Sequence, residues 1–294
     1  MATDDLTLTP SLAPNRVAYS TGRMLGVEDF QADQDYHRGR LARALVQLYG
    51  AGTACGLLVQ TDGNPNPAAL EVQVTPGMAI DRIGRIVEVP RLVCIVLNDW
   101  LTSQKQAWLS QQSNPVPGQA SIADLNDAIH DGANLMCDVF ATFVPCTGGL
   151  TPCFASLDDY DATDAFSANR LLDSFAMQLV LRTDANPLTP ADAWRTVLRP
   201  AFGSDLTAVN ATGIQTLLMQ ATAGPAAPAV EYPPGFDASS VFLARMLIGA
   251  TPGAGGAAPT WDLTKISIDN NSRMFLYPAA LLARLIGLGS GSDT

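Results

Sequence analysis

The two histidines, the side chains best suited to acid–base chemistry near neutral pH, show no catalytic pattern. His37 lies in a charged segment with helical spacing, and His130 is expected at the end of a short helix. A nucleophile–histidine–carboxylate site forms in space, so spacing alone does not exclude one. The sequence contains neither the G-x-S-x-G elbow nor the H-E-x-x-H pair that favour hydrolysis. We therefore predict a non-enzymatic protein with no catalytic residue and no cofactor.

Cysteines and aspartates could bind a metal, but their spacing does not favour it. Cys146 and Cys153 are seven positions apart, whereas zinc sites use C-x2–4-C pairs. The acidic run at 158–164 differs from a Ca²⁺-binding EF-hand loop, because Asp164 and Arg170 replace the required glycine and glutamate. We predict ordinary thiols and a solvated acidic loop. A metal or disulfide at the cysteines and an irregular cation site in the acidic run remain alternatives.

The composition indicates a thinly charged, acidic protein. Charged residues make up 15% of the 294 positions, against about 25% in typical soluble domains. This suits a subunit covered by neighbours, and it also suits an alanine-rich protein that works alone. The net charge of −11 argues against a nucleic-acid partner.

The sequence also predicts where the chain is made. We expect no transmembrane segment, since no apolar run approaches about 18 residues. The acidic amino terminus has no apolar core, so we expect no secretory signal. Five scattered cysteines fit a reducing compartment, and cytoplasmic assembly is predicted.

Short strands separated by turn residues are typical of an antiparallel sheet. We predict an α+β fold, with a largely antiparallel core, an amphipathic amino-terminal helix packed on it and helical insertions. Strands on both sides of the insertion are expected to share one sheet. The predicted organisation has four parts: an arm (1–20), an α+β core (21–184), a helical and Pro/Ala-rich insertion (185–236), and strands with a carboxy-terminal helix that complete the core (237–294).

Individual elements follow from hydrophobic periodicity. Strands are predicted at 56–61, 70–74, 78–81, 85–90, 92–97, 135–145, 174–182, 241–250, 261–269 and 273–278. Helices after the first are predicted at 99–112, 121–131, 190–200, 206–221 and 279–288. Loops are predicted at 146–153, at an extended surface connection (222–236) and at a hairpin tip (249–259).

The first helix is predicted to start at an N-cap, Gly26, and to end at Gly50 and Gly52. We expect at least one of the last two to have positive φ. Three leucines spaced four and three residues apart predict a buried stripe: Leu41, Leu45 and Leu48.

Tight turns are predicted at Pro76-Gly77 and at Gly84, placed so that Ile80 and Ile86 face the core. A turn role is also predicted for a neighbouring carboxylate.

That carboxylate, Asp81, is expected to accept hydrogen bonds from loop amides and to pair with Arg82 or Arg85. This interpretation is preferred to a catalytic one, because aspartates next to turn glycines commonly bond the local backbone.

Two segments, 22–59 and 70–90, contain a characteristic series of spaced residues. They form a "DF…Q.Y…R" helix, an "hG.G...GL.V" junction and a "V.V.PG.AID..GR.I.V" strand pair. The positions that define the pattern are Asp29, Phe30, Gln34, Tyr36, Arg40, Gly50, Gly52, Gly56, Leu57, Val59, Val72, Val74, Pro76, Gly77, Ala79, Ile80, Asp81, Gly84, Arg85, Ile86 and Val89. Together they resemble structural proteins of phage tails and of tail-derived contractile injection systems.

The resemblance implies a structural subunit of the baseplate, fibre-attachment or cap region, located in a virion or injection particle. Its partners would be other tail, baseplate, sheath or tube proteins, in a ring-forming homo- or hetero-oligomer. Apolar patches would then be exposed on the isolated chain. An alternative is a carbohydrate- or receptor-binding adhesin, and a particle-borne hydrolase is a third candidate. The adhesin would need exposed aromatic residues, for which there are four candidates: Trp100, Trp108, Trp194 and Trp261.

Overall fold

The α+β class is confirmed, with two long helices and three antiparallel sheets in the part of the chain that is described. The computed structural model describes residues 16–113, 125–152, 166–192, 231–233, 235–254 and 257–277. The helices are α1 (Val27–Tyr49) and α2 (Leu97–Ser113). The strands are β1 (Gly52–Gly56), β2 (Val59–Thr61), β3 (Glu71–Val74), β4 (Gly77–Ile80), β5 (Ile86–Val89), β6 (Val93–Val96), β7 (Ile129–His130), β8 (Asn134–Pro152), β9 (Phe166–Leu181), β10 (Val241–Thr251) and β11 (Thr260–Asp269).

The strands pair in three sheets. One sheet has the order β1-β4-β5, and a second has the order β2-β3-β6. The third has the order β11-β10-β8-β7, and β9 also pairs with β8. Because β8 pairs with β10 from Val241↔Ala141 to Gly249↔Asn134, strands on both sides of the predicted insertion share one sheet, as expected.

All three sheets contribute to one hydrophobic core. In β3 the alternation predicted from the sequence is observed, with Val72 and Val74 buried. The first turns of α2 bury Leu101, and Trp108 lies two turns further along the same helix. Other core residues come from each sheet: Leu57, Val59, Ala79, Val87, Val139, Leu243, Met246 and Ile248. The core therefore depends on pairings between segments far apart in the sequence.

Several predicted elements differ from the structure. The strand predicted at 56–61 is divided, because Leu57 has a φ of 56° and separates β1 from β2. Residues 129–130 form β7, where the sequence predicted the end of a helix. Residues 146–152 continue β8 instead of forming a loop, because β9 pairs with them as far as Pro152↔Phe166. The segment predicted as a strand at 273–278 is irregular through 277, apart from a bridge between Thr53 and Phe275.

Some predictions fall outside the described residues. They concern most of the amino-terminal arm, Cys153, the acidic run at 158–164, Trp194, the helices at 206–221 and 279–288, and most of the connection at 222–236.

Candidate assembly interface

The connector between α1 and the sheets needs glycine at its chain reversals. The helix ends at Gly50, which has a φ of 79°, and Gly52 has a φ of 153°. The expectation of positive φ at this junction is confirmed. A Cβ added at Gly52 would lie 2.7 Å from the carbonyl oxygen of Met274, so the segment after β11 packs directly on this glycine.

Two further glycines let β1 and β4 approach each other closely. Gly56 has a φ of 61°, and a Cβ there would lie 2.0 Å from the carbonyl oxygen of Pro76. Gly77 pairs with Gly56, and a Cβ on it would lie 2.3 Å from the carbonyl oxygen of Cys55. Side chains on either glycine would separate the strands, so both positions serve the shape of the connector.

Asp81 organises the turn between β4 and β5. Its Oδ1 accepts hydrogen bonds from the backbone amides of Ile83 (2.9 Å) and Arg85 (2.8 Å). Its Oδ2 accepts one from Arg85 Nε at 2.6 Å, and both side chains are buried. Burial raises the pKa of Asp81, an effect that the Arg85 guanidinium and the two amides oppose. Arg82 instead pairs with Glu231.

The prediction of which side chains in this strand pair face the core is wrong at one position. Ile80 is buried as expected, but Ile86 is 41% exposed. These residues are register partners and share one side of the pair, whereas Ala79 and Val87 share the side that faces the core. The β5 side chains that complete the core are therefore Val87 and Val89.

The helix α1 closely approaches the turn between β4 and β5. Gly84 has a φ of 96°, and a Cβ there would lie 2.1 Å from the carbonyl oxygen of Ala42. Ala42 is the only residue of α1 that is fully buried. At the start of the helix, Asp29 accepts a hydrogen bond from the Gly26 amide (3.0 Å) and pairs with Arg23. Gly26 is thus the N-cap, as predicted.

The buried stripe predicted for α1 is wrong. Leu41 is 56% exposed and Leu48 is 75% exposed, whereas Leu45 is half-buried. Ala42 packs against the Gly84 turn, and Leu41 and Leu48 lie on another side of the helix, exposed to solvent. Near the other end of the helix, Phe30 is 53% exposed. The described part of the chain therefore shows an apolar helix face in contact with solvent.

Other motif residues of α1 lie nearer the body of the protein. Tyr36 is half-buried, and its ring lies edge-on to that of His37, with 5.4 Å between the ring centroids. His37 itself is exposed and lies 3.8 Å from a carboxylate oxygen of Asp33. The other histidine, His130, is far away in sequence and contacts the carbonyl oxygen of Arg182 at 2.8 Å.

A buried ionic cluster was missed by sequence reasoning. Asp138 contacts Arg182 Nη1 at 2.5 Å and Arg245 Nε at 2.8 Å. Arg182 also pairs with Asp184 at 2.9 Å. These side chains join β8, β10 and the end of β9. The available signal was a charged residue in each of two largely apolar strands, Asp138 in β8 and Arg245 in β10, whereas Arg182 directly follows β9.

The described cysteines and the buried Arg273 lie in different surroundings. Burial raises the pKa of the Cys137 thiol, while Cys146 is exposed. No group of three or more His, Cys, Asp or Glu side chains among the described residues is placed to hold a metal ion. Arg273 is buried and donates to the carbonyl oxygen of Leu57 at 2.5 Å, and burial lowers its pKa. This arginine fixes the left-handed backbone at the break between β1 and β2.

No protein-family model and no curated protein matches the chain. Among solved structures, the chain is similar to the crystal structure of TssK, with 10% sequence identity and a TM-score of 0.30. The similarity covers 85% of this chain and 41% of TssK, so the chain spans about two-fifths of that protein's length. A TM-score of 0.30 does not establish a common fold, and no property of TssK is transferred to this chain.

A membrane-spanning helix is not found in the described ranges, where neither helix combines the necessary length and apolar character.

Proposed function

We propose that the chain is a non-enzymatic structural subunit of a phage tail or contractile injection particle, in the baseplate, fibre-attachment or cap region. The exposed apolar face of α1 is one of its contacts with neighbouring proteins. The particle type is supported by the sequence pattern of α1, the glycine junction and the β4–β5 turn. The contact is supported by the exposure of that face.

The single observation that carries this proposal is the exposure of large apolar side chains along α1. Val27, Phe30, Leu41 and Leu48 are each more than half exposed. Burying one such side chain fully contributes about 1.5–3 kcal/mol, so a neighbour that covers the face gains a substantial free energy. Scattered exposed apolar residues are common, but here they recur along one side of a single helix, in two groups on either side of Gln34 and His37, which indicates an interaction surface.

The motif residues themselves act as architecture in this proposal. Asp81 and Arg85 are buried and bonded to each other and to the turn that carries Gly84. Gly84, in this turn, lies directly against Ala42 of α1. The role we assign to these residues is to hold the helix at a fixed angle, with its apolar face directed outward.

The test is incorporation of variants into the particle. Leu41→Asp and Leu48→Asp should reduce co-purification with sheath, tube or baseplate proteins, while the thermal unfolding temperature changes little. Leu171→Asp is the matched control, because Leu171 is 71% exposed but lies on β9. Normal incorporation of both α1 variants would refute the proposed contact. Purification as a monomer that turns over a small substrate, with no particle protein attached, would refute the structural role.

A second candidate, the carbohydrate-binding adhesin, is favoured by one pocket of about 350 Å³ beside Trp261. Its lining combines this half-buried indole with Asn98, Asp262 and Thr264, an aromatic surface next to hydrogen-bonding groups. The Nζ of Lys105 lies 5.7 Å from the indole centroid. A sugar that quenches tryptophan fluorescence in the natural chain, but not in Trp261→Phe, would support this function.

A further inference from the structure

The exposed face of α1 has the spacing of a coiled-coil seam. Seven exposed residues alternate at intervals of three and four over three heptads: Val27, Phe30, Gln34, His37, Leu41, Ala44 and Leu48. A 3-4 repeat places side chains in one stripe that a second helix can cover. The two polar residues fall in the middle of the stripe, and apolar residues lie on both sides of them.

The charges of α1 are divided between its two halves. All acidic residues lie in the first half, and all arginines lie in the second: Glu28, Asp29, Asp33 and Asp35, against Arg38, Arg40 and Arg43. This arrangement suits the helix dipole. It also means that a second copy running in the opposite direction would place acidic residues beside basic ones.

We propose that two copies of this chain pair through α1 in antiparallel orientation. The inference rests on the proposal that α1 is an assembly surface, and it names the partner of that surface. Phe30 of one copy lies against Leu41 of the other, and Gln34 lies against His37. Val27 similarly meets Ala44, so apolar layers meet apolar layers and polar layers meet polar layers.

The flanking charges specify the direction. Asp33 and Arg40 are seven residues apart and lie at the same edge of the stripe. Residues at this edge face each other when two such helices pair in antiparallel orientation. Each dimer therefore contains two Asp33–Arg40 contacts. A parallel pair would bring Asp33 beside Arg38 and leave Arg40 without an acidic partner. The antiparallel pair alone uses both charges.

A second copy fits this surface better than the chain's own terminal segments. Residues 1–15 carry Asp4 and Asp5 and no basic residue, so they match only the basic half of α1. Residues 278–294 carry only Arg284 and Asp293, so they supply little charge for either half. A second α1 supplies both charges in the matching order.

The pairing is expected to be weak for the isolated chain. Two faces of three heptads bury on the order of 1,000 Å² in total, at the lower end for specific interfaces. Self-association should therefore appear at tens to hundreds of micromolar. In a ring or stack, several such contacts act together and the effective affinity rises.

The experiment is sedimentation of the full-length chain from about 5 to 500 μM with charge-reversed variants. Asp33→Arg and Arg40→Asp should each weaken dimerisation about tenfold or more, since each creates two like-charge contacts. The double variant should restore dimerisation to within about threefold. A mixture of the two single variants should form heterodimers more strongly than either variant forms homodimers.

Arg43→Asp is the matched control, because Arg43 is exposed in the same half of α1 but lies outside the stripe and its edges. It should leave dimerisation unchanged while changing the net charge of the helix as much as Arg40→Asp does. Equal effects of the two substitutions, or a double variant that stays monomeric, would overturn the pairing.

Failure of the pairing can be told apart from failure of the proposed function. A natural chain that stays monomeric at 500 μM, while Leu41→Asp still blocks particle incorporation, overturns only the self-pairing and assigns the face to another particle protein. A monomer whose α1 amides are strongly protected from hydrogen exchange overturns it in favour of the chain's own termini. Normal incorporation of both Leu41→Asp and Leu48→Asp overturns the assembly surface itself.

Discussion

The contact between Gly84 and α1 allows a sharp test of how the helix is held. In Gly84→Ala the new Cβ would lie 2.1 Å from the carbonyl oxygen of Ala42 and 2.5 Å from its carbonyl carbon. Restoring a separation of 3.0 Å to the oxygen requires a movement of about 0.9 Å. The helix backbone itself must move, because the atoms of Ala42 that the Cβ meets are backbone atoms. The φ of 96° adds left-handed strain of about 1–2 kcal/mol. With an overpacking cost of about 1–3 kcal/mol, we expect a total loss of about 2–5 kcal/mol in unfolding free energy.

Gly50→Ala separates the two contributions. Gly50 has a φ of 79° and a ψ of −167°, a combination used almost only by glycine, but a Cβ there meets no atom within 4 Å, so only backbone strain of about 1–3 kcal/mol is expected. Urea unfolding of both variants should differ by about 1 kcal/mol or more, and hydrogen exchange of α1 should accelerate only in Gly84→Ala.

Adding Ala42→Gly should not restore the stability of Gly84→Ala, since the atoms of residue 42 that overlap the new Cβ belong to its backbone. Equal stability losses in the two alanine variants, or full rescue by Ala42→Gly, would refute this account of the helix contact.

Three further predictions address exposure, the buried turn and pH. Leu41→Ala should change the unfolding free energy by no more than about 0.5 kcal/mol, whereas Leu101→Ala should cost about 2–5 kcal/mol; similar losses in urea unfolding would contradict the exposure of α1. Asp81→Ala removes the partner of a buried arginine and the acceptor of two amides, so unfolding by urea should show a loss of about 3–5 kcal/mol; a loss below about 1 kcal/mol would contradict the network. Burial raises the pKa of Asp184, but hydrogen bonds and charge from Arg182 outweigh it and lower the pKa overall. The contribution of the ionised Asp184 to the unfolding free energy is therefore present above the ordinary carboxyl pKa and is lost as pH falls through the lower pKa of the folded state. Asp184→Asn should flatten the decline of stability with falling pH below about pH 4.

The sequence predicted the local parts of the candidate site well. Gly50 and Gly84 were placed at chain reversals because glycine next to a periodic segment indicates a turn, and both have positive φ. Asp81 was assigned to the turn amides, and it accepts hydrogen bonds from two of them. These features depend on residues within about five positions of one another, so local stereochemistry is sufficient to predict them.

Predictions failed where a distant segment decides the outcome. Residues 146–152 contain glycine and proline and were assigned to a loop, but pairing with β9 extends the strand through them. Asp138, Arg182 and Arg245 looked unremarkable because they lie up to about a hundred positions apart, and only the sheet brings them into contact.

The sequence by itself determined the fold class, the limits of α1 and the chain reversals at Gly50 and Gly84, because helical and strand periodicity and glycine stereochemistry act locally. It did not determine which side of α1 faces the protein. That depends on Ala42 fitting against Gly84, a contact between residues 42 positions apart, and this contact leaves Leu41 and Leu48 exposed. A leucine stripe predicts that something covers it, since burial of apolar surface is favourable. Only the tertiary structure decides whether the chain itself covers the leucines, and in this protein the buried residue of α1 is Ala42.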